Sequence, residues 1–274
     1  MGSQSLQLCR WSSSAASKRS QRMIAVIFAG PSMPPPTPPI AGIEWRSPVR
    51  QGDLYSAALS GPAIIGVIDG YFEIAPTVWH KEILWAMAQG IHVYGSASIG
   101  ALRAAELSDF GMKGVGHIYR QFQTGQLTDD DEVALLHGPA EIGYVQITDA
   151  MVNVRATIDR ALQLGIVEPA FAARLVSIAK LLFYKNRTYE AILKAATEQG
   201  LAPQVIRRFA SWLPGGQVDQ KRIDASEMLQ AITAHISSGV IPLKVSYEFS
   251  HTFAWEEARR RIETADDPAG MDIR

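Results

Sequence analysis

The stretch Ile91-His92-Val93-Tyr94-Gly95-Ser96-Ala97-Ser98-Ile99-Gly100-Ala101-Leu102-Arg103-Ala104-Ala105-Glu106 decides how the chain is read. Its opening run, residues 91–94, is β-branched and aromatic and reads as a buried strand. Small residues follow at 95–98, and residues 101–107 are almost all strong helix formers. Strand, tight turn and helix lift a side chain to the C-terminal edge of a parallel sheet. The free N–H groups of the first helical turn then point at whatever binds there. Ser98 is central in Ser96-Ala97-Ser98-Ile99-Gly100, a nucleophile elbow G-x-S-x-G with Ser96 in place of the first glycine. Two roles fit it. Ser98 is either a nucleophile whose neighbouring N–H groups hold an oxyanion, or the N-cap of the helix it precedes.

Upstream, Ala63-Ile64-Ile65-Gly66-Val67-Ile68 is a continuous apolar run, as in a strand buried on both faces, and it ends in Asp69-Gly70-Tyr71-Phe72. A carboxylate at such a tip is expensive to desolvate unless it works or is paired, so Asp69 is a candidate site residue as well as a candidate turn. Ile24-Ala25-Val26-Ile27-Phe28 is a similar strand, and Ala29-Gly30-Pro31-Ser32 places Ser32 at the edge where open α/β sheets bind ligands. Pro34-Pro35-Pro36-Thr37-Pro38-Pro39 reads as a stiff connector. A short strand at 43–45 and a helix through Leu59, capped by Asp53, follow. Between the strands, residues 77–90 read as a helix with Thr77 as N-cap and Gly90 as its stop. His80 and Glu82 fall in its first turns, at the end that carries Asp69 and Ser98 if the unit is a β-α-β crossover. His80 is a candidate general base, and equally a surface histidine.

Downstream, residues 109–116 form a glycine-rich loop that is neither a P-loop nor a dinucleotide fingerprint. A helix at 117–124 leads to Asp129-Asp130-Asp131-Glu132, four acids ahead of an apolar strand-like run ending at His137. They suit Mg²⁺, a basic partner or a solvated turn. Residues 144–148 read as a weak strand. From residue 149 onward the signal is helical, with breaks at Pro169, Gly200, Pro214-Gly215-Gly216 and Gly239. No catalytic residue types recur there at useful spacing, so this half reads as packing or as a partner-binding layer. The expected fold class is α/β. A small, mostly parallel sheet with flanking helices, a Rossmann-like three-layer arrangement, is followed by an all-α C-terminal region. The expected segments are a disordered tail at 1–22, a core at 23–162 and helices at 163–274.

With 47% hydrophobic and 19% charged residues there is ample material for a core. A net charge of −1 gives no electrostatic case for nucleic acid or an anionic membrane. A single cysteine, Cys9, excludes an internal disulfide and suits a cytoplasmic protein. Residues 1–22 are rich in Ser, Arg and Lys and lack the apolar run of a secretory signal. No apolar run approaches the roughly 20 residues of a membrane span.

Five blocks in this order carry a resemblance. They are Phe28-Ala29-Gly30-Pro31-Ser32, Ile68-Asp69-Gly70-Tyr71-Phe72, Val78-Trp79-His80-Lys81-Glu82-Ile83-Leu84, residues 93–107, and Asp129-Asp130-Asp131-Glu132-Val133. Together they resemble the TfuA-like family across about residues 23–162. The resemblance implies an accessory to a YcaO enzyme, which uses ATP to activate a backbone amide so that sulfur can be installed as a thioamide. Its expected partners are the YcaO protein, a precursor peptide and a sulfur donor or sulfur carrier protein, with a homo-oligomer left open. The resemblance implies no cofactor or metal of its own, ATP and Mg²⁺ belonging to the YcaO partner. In an enzymatic reading, Ser98 is the nucleophile, His80 or His137 its base and Asp69 the residue that orients it. Ser32, Tyr71, Glu82, Ser96, Arg103, Glu106, Asp130, Asp131, Glu132 and His137 are supporting or substrate-binding candidates. In a docking reading, the acidic loop meets the partner and no chemistry occurs. A free-standing serine hydrolase is a third reading.

Overall fold

The computed structural model describes residues 23–265; the expectations for the tail and Cys9 lie outside the described residues. The four expected strand segments become strands, β1 (Ala25–Phe28), β2 (Ile43–Arg46), β3 (Ile64–Val67) and β4 (His92–Ser96). A fifth, β5 (Lys113–Val115), lies inside the segment that reads as a glycine-rich loop. Gly114 is needed there for packing: a Cβ at this position would stand 2.1 Å from the Tyr119 ring. Every pairing is parallel, in the order β2-β1-β3-β4-β5. The chain leaves β1 to one side for β2 and resumes on the other side with β3. The crevice beyond their carboxyl ends is therefore the switch point where such sheets bind ligands.

Alternation along the strands sorts side chains to the two faces. Val26, Phe28, Ile65, Val67 and Val93 pack under α1 (Asp53–Leu59), α2 (His80–Ala88) and α3 (Ile99–Leu107). After α4 (His117–Gln123), the helices α5 (Met151–Gln163), α6 (Pro169–Leu181), α7 (Tyr189–Glu198) and α8 (Pro203–Gly216) close a core of their own around Ile158, Leu175, Ile192 and Phe209. Helix α8 runs through Pro214, which sits in its last turn, where the break was expected. Helix α9 (Gln220–Ser238) then returns to the sheet. Its Ala225, Met228 and Ile232 cover Ile27, Ile64, Ile68 and Tyr94 on the second face. Packing thus crosses the boundary expected at Leu162, because the sheet would otherwise leave an apolar face in water. Finally α10 (Phe253–Ala265) docks Trp255 against Tyr55 and Trp85, with ring centroids 5.5 and 6.1 Å apart.

Two caps differ from expectation. Helix α2 begins after Trp79 rather than Thr77, and the buried Glu82 carboxylate reaches back to accept the Trp79 N–H at 3.1 Å. Its other oxygen accepts the Gly52 and Tyr55 N–H groups at 2.9 and 3.3 Å, so one side chain caps two helices. Burial raises the Glu82 pKa despite those bonds. Asp53 opens α1 instead of capping it, accepting the Arg50 N–H at 3.0 Å. Residues 133–137 and 144–148 are not strands; they meet in one antiparallel bridge, His137 to Gln146.

Candidate active site

A cavity of about 600 Å³ opens at the carboxyl ends of β3 and β4. Residues from Asp69, Ser98 and α3 form its floor, the segment 128–137 one wall, and Tyr184, Lys185 and Lys221 the helical side. Phe72 meets Tyr184 edge to face at 5.2 Å across its mouth, so the sheet edge and the helical layer share the enclosure.

Ser98 reaches this cavity through a strained turn. The Ser98 N–H donates to the Ser96 carbonyl at 2.7 Å, which closes a three-residue loop around Ala97 at φ +65°. A side-chain-bearing residue in that conformation costs about 1–3 kcal/mol and is retained where surrounding packing over-determines it. The packing here is backbone on backbone: a Cβ on Gly100 would stand 1.8 Å from the Val67 carbonyl oxygen, and one on Gly95 2.1 Å from the Gly100 oxygen. Helix α3 therefore starts directly against β3 and β4. Ser98 occupies its N-cap position, but the hydroxyl makes no capping bond, nor any other hydrogen bond among the described residues. The Ile99 N–H, first of the helix, also takes no acceptor. An available hydroxyl beside an available N–H is what acyl transfer requires.

Asp69 is 1% exposed. Its Oδ2 accepts the Gly30 and Ser32 N–H groups, both at 2.9 Å, and its Oδ1 accepts the Ser32 hydroxyl at 2.6 Å. Ser32, itself fully buried, thus holds Asp69 rather than facing the cavity directly. The Nζ of Lys221 lies 3.8 Å from Asp69 Oδ1 and donates to the Val133 carbonyl at 2.9 Å. Desolvation pushes the Lys221 pKa below the usual lysine range, against the opposing pull of Asp69 and Asp219. Lys221 is the residue that reading by motif missed, since the C-terminal half showed no catalytic spacing. Its signal was positional: it falls on the stripe that α9 buries with Ala225, Met228 and Ile232, where a lysine is out of place.

The other expected residues divide into those that line the cavity and those that support the fold. His80 is half exposed and lies outside the cavity, its Nε2 2.8 Å from Glu106 Oε2. No hydrogen bond joins Ser98, His80 and Asp69 among the described residues. His137 lines the cavity, but its Nδ1 pairs with the Gly138 carbonyl at 2.7 Å. Tyr71 also lines it, its ring tilted against His137 with centroids 6.3 Å apart, and burial raises the Tyr71 pKa. Arg103 and Glu106 line the rim as an ion pair. Desolvation raises the Glu106 pKa, but hydrogen bonds from His80 and Arg103 outweigh it and hold the value below the carboxylate range. Ser96 is buried and donates to the Val115 and Asp224 carbonyls at 2.8 and 2.9 Å, tying β4 to β5 and α9. Glu82 is the double cap described above.

The acidic loop is largely neutralised from within. Glu132, 3% exposed, takes a bidentate pair from Arg155 at 2.9 Å and lies 3.0 Å from Lys180 Nζ. Asp131 pairs with Lys180 and, at 2.8 Å, with the buried Arg187; Asp129 pairs with Lys180 at 3.1 Å. Asp129, Asp131 and Glu132 could together ligate a metal, but the Lys180 ammonium stands among them. Asp130 is exposed, lines the cavity and has no ionic partner among the described residues.

The family model described as TfuA-like protein matches residues 69–188, which run from the buried aspartate to the Arg187 clamp. Over this span the chain is similar to the TfuA-like family. No curated protein matches it. TfuA-like proteins are associated with YcaO thioamidation, and the similarity implies a YcaO-type partner. The matched span holds Asp69 and Ser98 but ends before Lys221. No helix among the described residues is long and apolar enough to cross a membrane.

Proposed function

We propose that this TfuA-like protein supplies sulfur to a YcaO partner by hydrolysing an acyl–sulfur donor at Ser98, with Lys221 as the proton acceptor. The observation that carries the reading is the unbonded Ser98 hydroxyl, raised on a strained turn into the same cavity as a buried lysine whose charge is disfavoured. A hydroxyl nucleophile needs a neighbouring base, and a desolvated lysine is one at moderate pH.

The steps balance without a redox partner. The Ser98 Oγ adds to the donor carbonyl while its proton passes to the neutral Lys221 amine, and the Ile99 N–H stabilises the oxyanion. Collapse breaks the C–S bond as the Lys221 ammonium returns its proton to the departing sulfur, so hydrosulfide leaves, the amine is neutral again and an acyl ester remains on Ser98. Water then attacks the ester, giving up a proton, and restores the Ser98 hydroxyl and a carboxylic acid. The donor is a thiocarboxylate at the end of a sulfur carrier protein or a comparable acyl–sulfur compound. The hydrosulfide passes to the peptide amide that YcaO activates with ATP and Mg²⁺ in the cytoplasm. This chain then needs no cofactor of its own.

A reconstituted reaction tests the reading. It contains YcaO, ATP, precursor peptide and either free sulfide or an acyl–sulfur donor, with the native protein or Ser98→Ala. The expected result is thioamide from the donor only with the native protein, and from free sulfide with either. Full activity of Ser98→Ala on the donor would instead make the protein a non-catalytic activator of YcaO.

A further inference from the structure

We infer that Asp69 is a positioning residue, fixed by the Gly30-Pro31-Ser32 turn, whose carboxylate sets the pH at which Lys221 can take up a proton. The inference rests on the serine–lysine reading above and adds to it a control element from a different part of the chain.

The geometry separates holding from tuning. Three of the four interactions of the Asp69 carboxylate run to the turn after β1, and all three are accepted hydrogen bonds. They lock the side chain within the β1/β3 switch point, so its distance from Lys221 is set by the sheet register rather than by the lysine. That distance, 3.8 Å, is too long for a hydrogen bond and short enough for strong Coulombic attraction in a dry site. The lysine has its own anchor. Nζ donates to the Val133 carbonyl, and the first turn of α9 is tied to α5 by the Asn153 side chain, which accepts the Lys221 N–H at 3.1 Å. The amine thus has a neutral acceptor for one proton and a carboxylate just out of bonding range.

Two opposing forces then act on one nitrogen. Full burial favours the neutral amine, and Asp69 favours the ammonium. Asp219 at the start of the same helix adds a weaker pull toward the charged form. The remaining charged or titratable side chains around the cavity are Tyr71, Tyr184, His137, Arg103, Glu106, Asp129, Asp130 and Lys185, most with partners of their own. Of all these groups Asp69 alone is within 4 Å of the amine as an ion-pair partner among the described residues. The turn after β1, which lines the cavity only through Pro31, therefore fixes in place the carboxylate that acts on the amine. A closer, hydrogen-bonded carboxylate would keep the lysine charged and useless as a base; none at all would leave it neutral and a poor proton carrier in the reverse direction.

NMR titration of the full chain with isotope-labelled lysine and aspartate reads the effect without any turnover. The Lys221 Cε resonance is assigned by its loss in Lys221→Met. Asp69→Asn is expected to lower the Lys221 midpoint by about 1–2 pH units. Ser32→Ala, which leaves the carboxylate and removes one of its competing donors, is expected not to lower it. In the native protein, the Asp69 Cγ resonance moves through the Lys221 midpoint. That last measurement needs no variant to fold. An unmoved or raised midpoint in Asp69→Asn, an equal fall in Ser32→Ala, or a flat Asp69 Cγ resonance would each overturn the inference. Retained donor hydrolysis in Ser98→Ala would overturn the hydrolytic reading alone and leave these midpoints as they are.

Discussion

Two clusters of acid and base lie on either side of one cavity, and they are built differently. In the Asp129–Glu132 loop the charges are matched at bonding distance, with Glu132 held by Arg155 and Lys180 and Asp131 by Lys180 and Arg187. At the sheet edge Asp69 takes its hydrogen bonds from uncharged donors, and the one cation nearby stops at 3.8 Å. Saturated charges serve the fold: the loop pins α5, α6 and the Arg187 turn onto the α/β core. A charge left short of its partner keeps its chemistry. Burial alone does not distinguish the two, since Glu132 and Asp69 are both almost fully enclosed.

The sharpest way to break the contrast is to exchange stability for activity on each side. Lys221→Met is expected to reduce donor hydrolysis by about 10²–10⁴-fold. Its unfolding free energy should stay within about 1 kcal/mol of the native value, because an apolar chain replaces a poorly paired buried charge. Glu132→Gln should do the reverse. Chemical denaturation is expected to show a loss of about 2–3 kcal/mol, since Arg155 and Lys180 lose a bidentate carboxylate. Hydrolysis per folded molecule should be unchanged within about twofold. Equal losses of activity in both would mean the loop belongs to the site.

Acid titration gives a finer test. Desolvation raises the Asp131 pKa, but hydrogen bonds from Lys180 and Arg187 outweigh it and hold the value below 3.8. A carboxyl lowered in the folded state contributes stability above its unfolded pKa and loses it as pH falls through the lowered value. Thermal midpoints should therefore decline below about pH 4, and Asp131→Asn should flatten that decline. The smallest effect is expected at Asp130, the unpaired member of the loop. Asp130→Asn should change the unfolding free energy by less than about 0.5 kcal/mol. A larger change would show that the loop is not neutralised from within.

Legibility in the sequence followed the range of the forces involved. The strands β1, β3 and β4 announce themselves because burial on both faces demands unbroken apolar runs. The Ser98 turn does so because only small residues let α3 start against β3. Local caps were harder: Thr77 and Asp53 have the right chemistry for N-caps, yet Glu82, thirty residues from Gly52, satisfies both helices. β5 was hidden because its one glycine, Gly114, serves ring packing while it and the neighbouring glycines look like loop punctuation. The expected Ser98–His80–Asp69 arrangement came from residues that share one sheet edge. Sharing an edge does not set side-chain direction, and here Glu106 takes His80 while Ser32 takes Asp69.

By itself the amino-acid sequence determined the α/β core, the position of Ser98 at a strand-to-helix turn and the likeness to TfuA-like proteins, because each depends on residues close together in the chain. Only the tertiary structure decided which residues share a cavity with Ser98. Lys221 stands 123 positions away, on a helix that returns to cover the second face of the sheet, and what disfavours its charge is the low-dielectric enclosure formed when that helix docks.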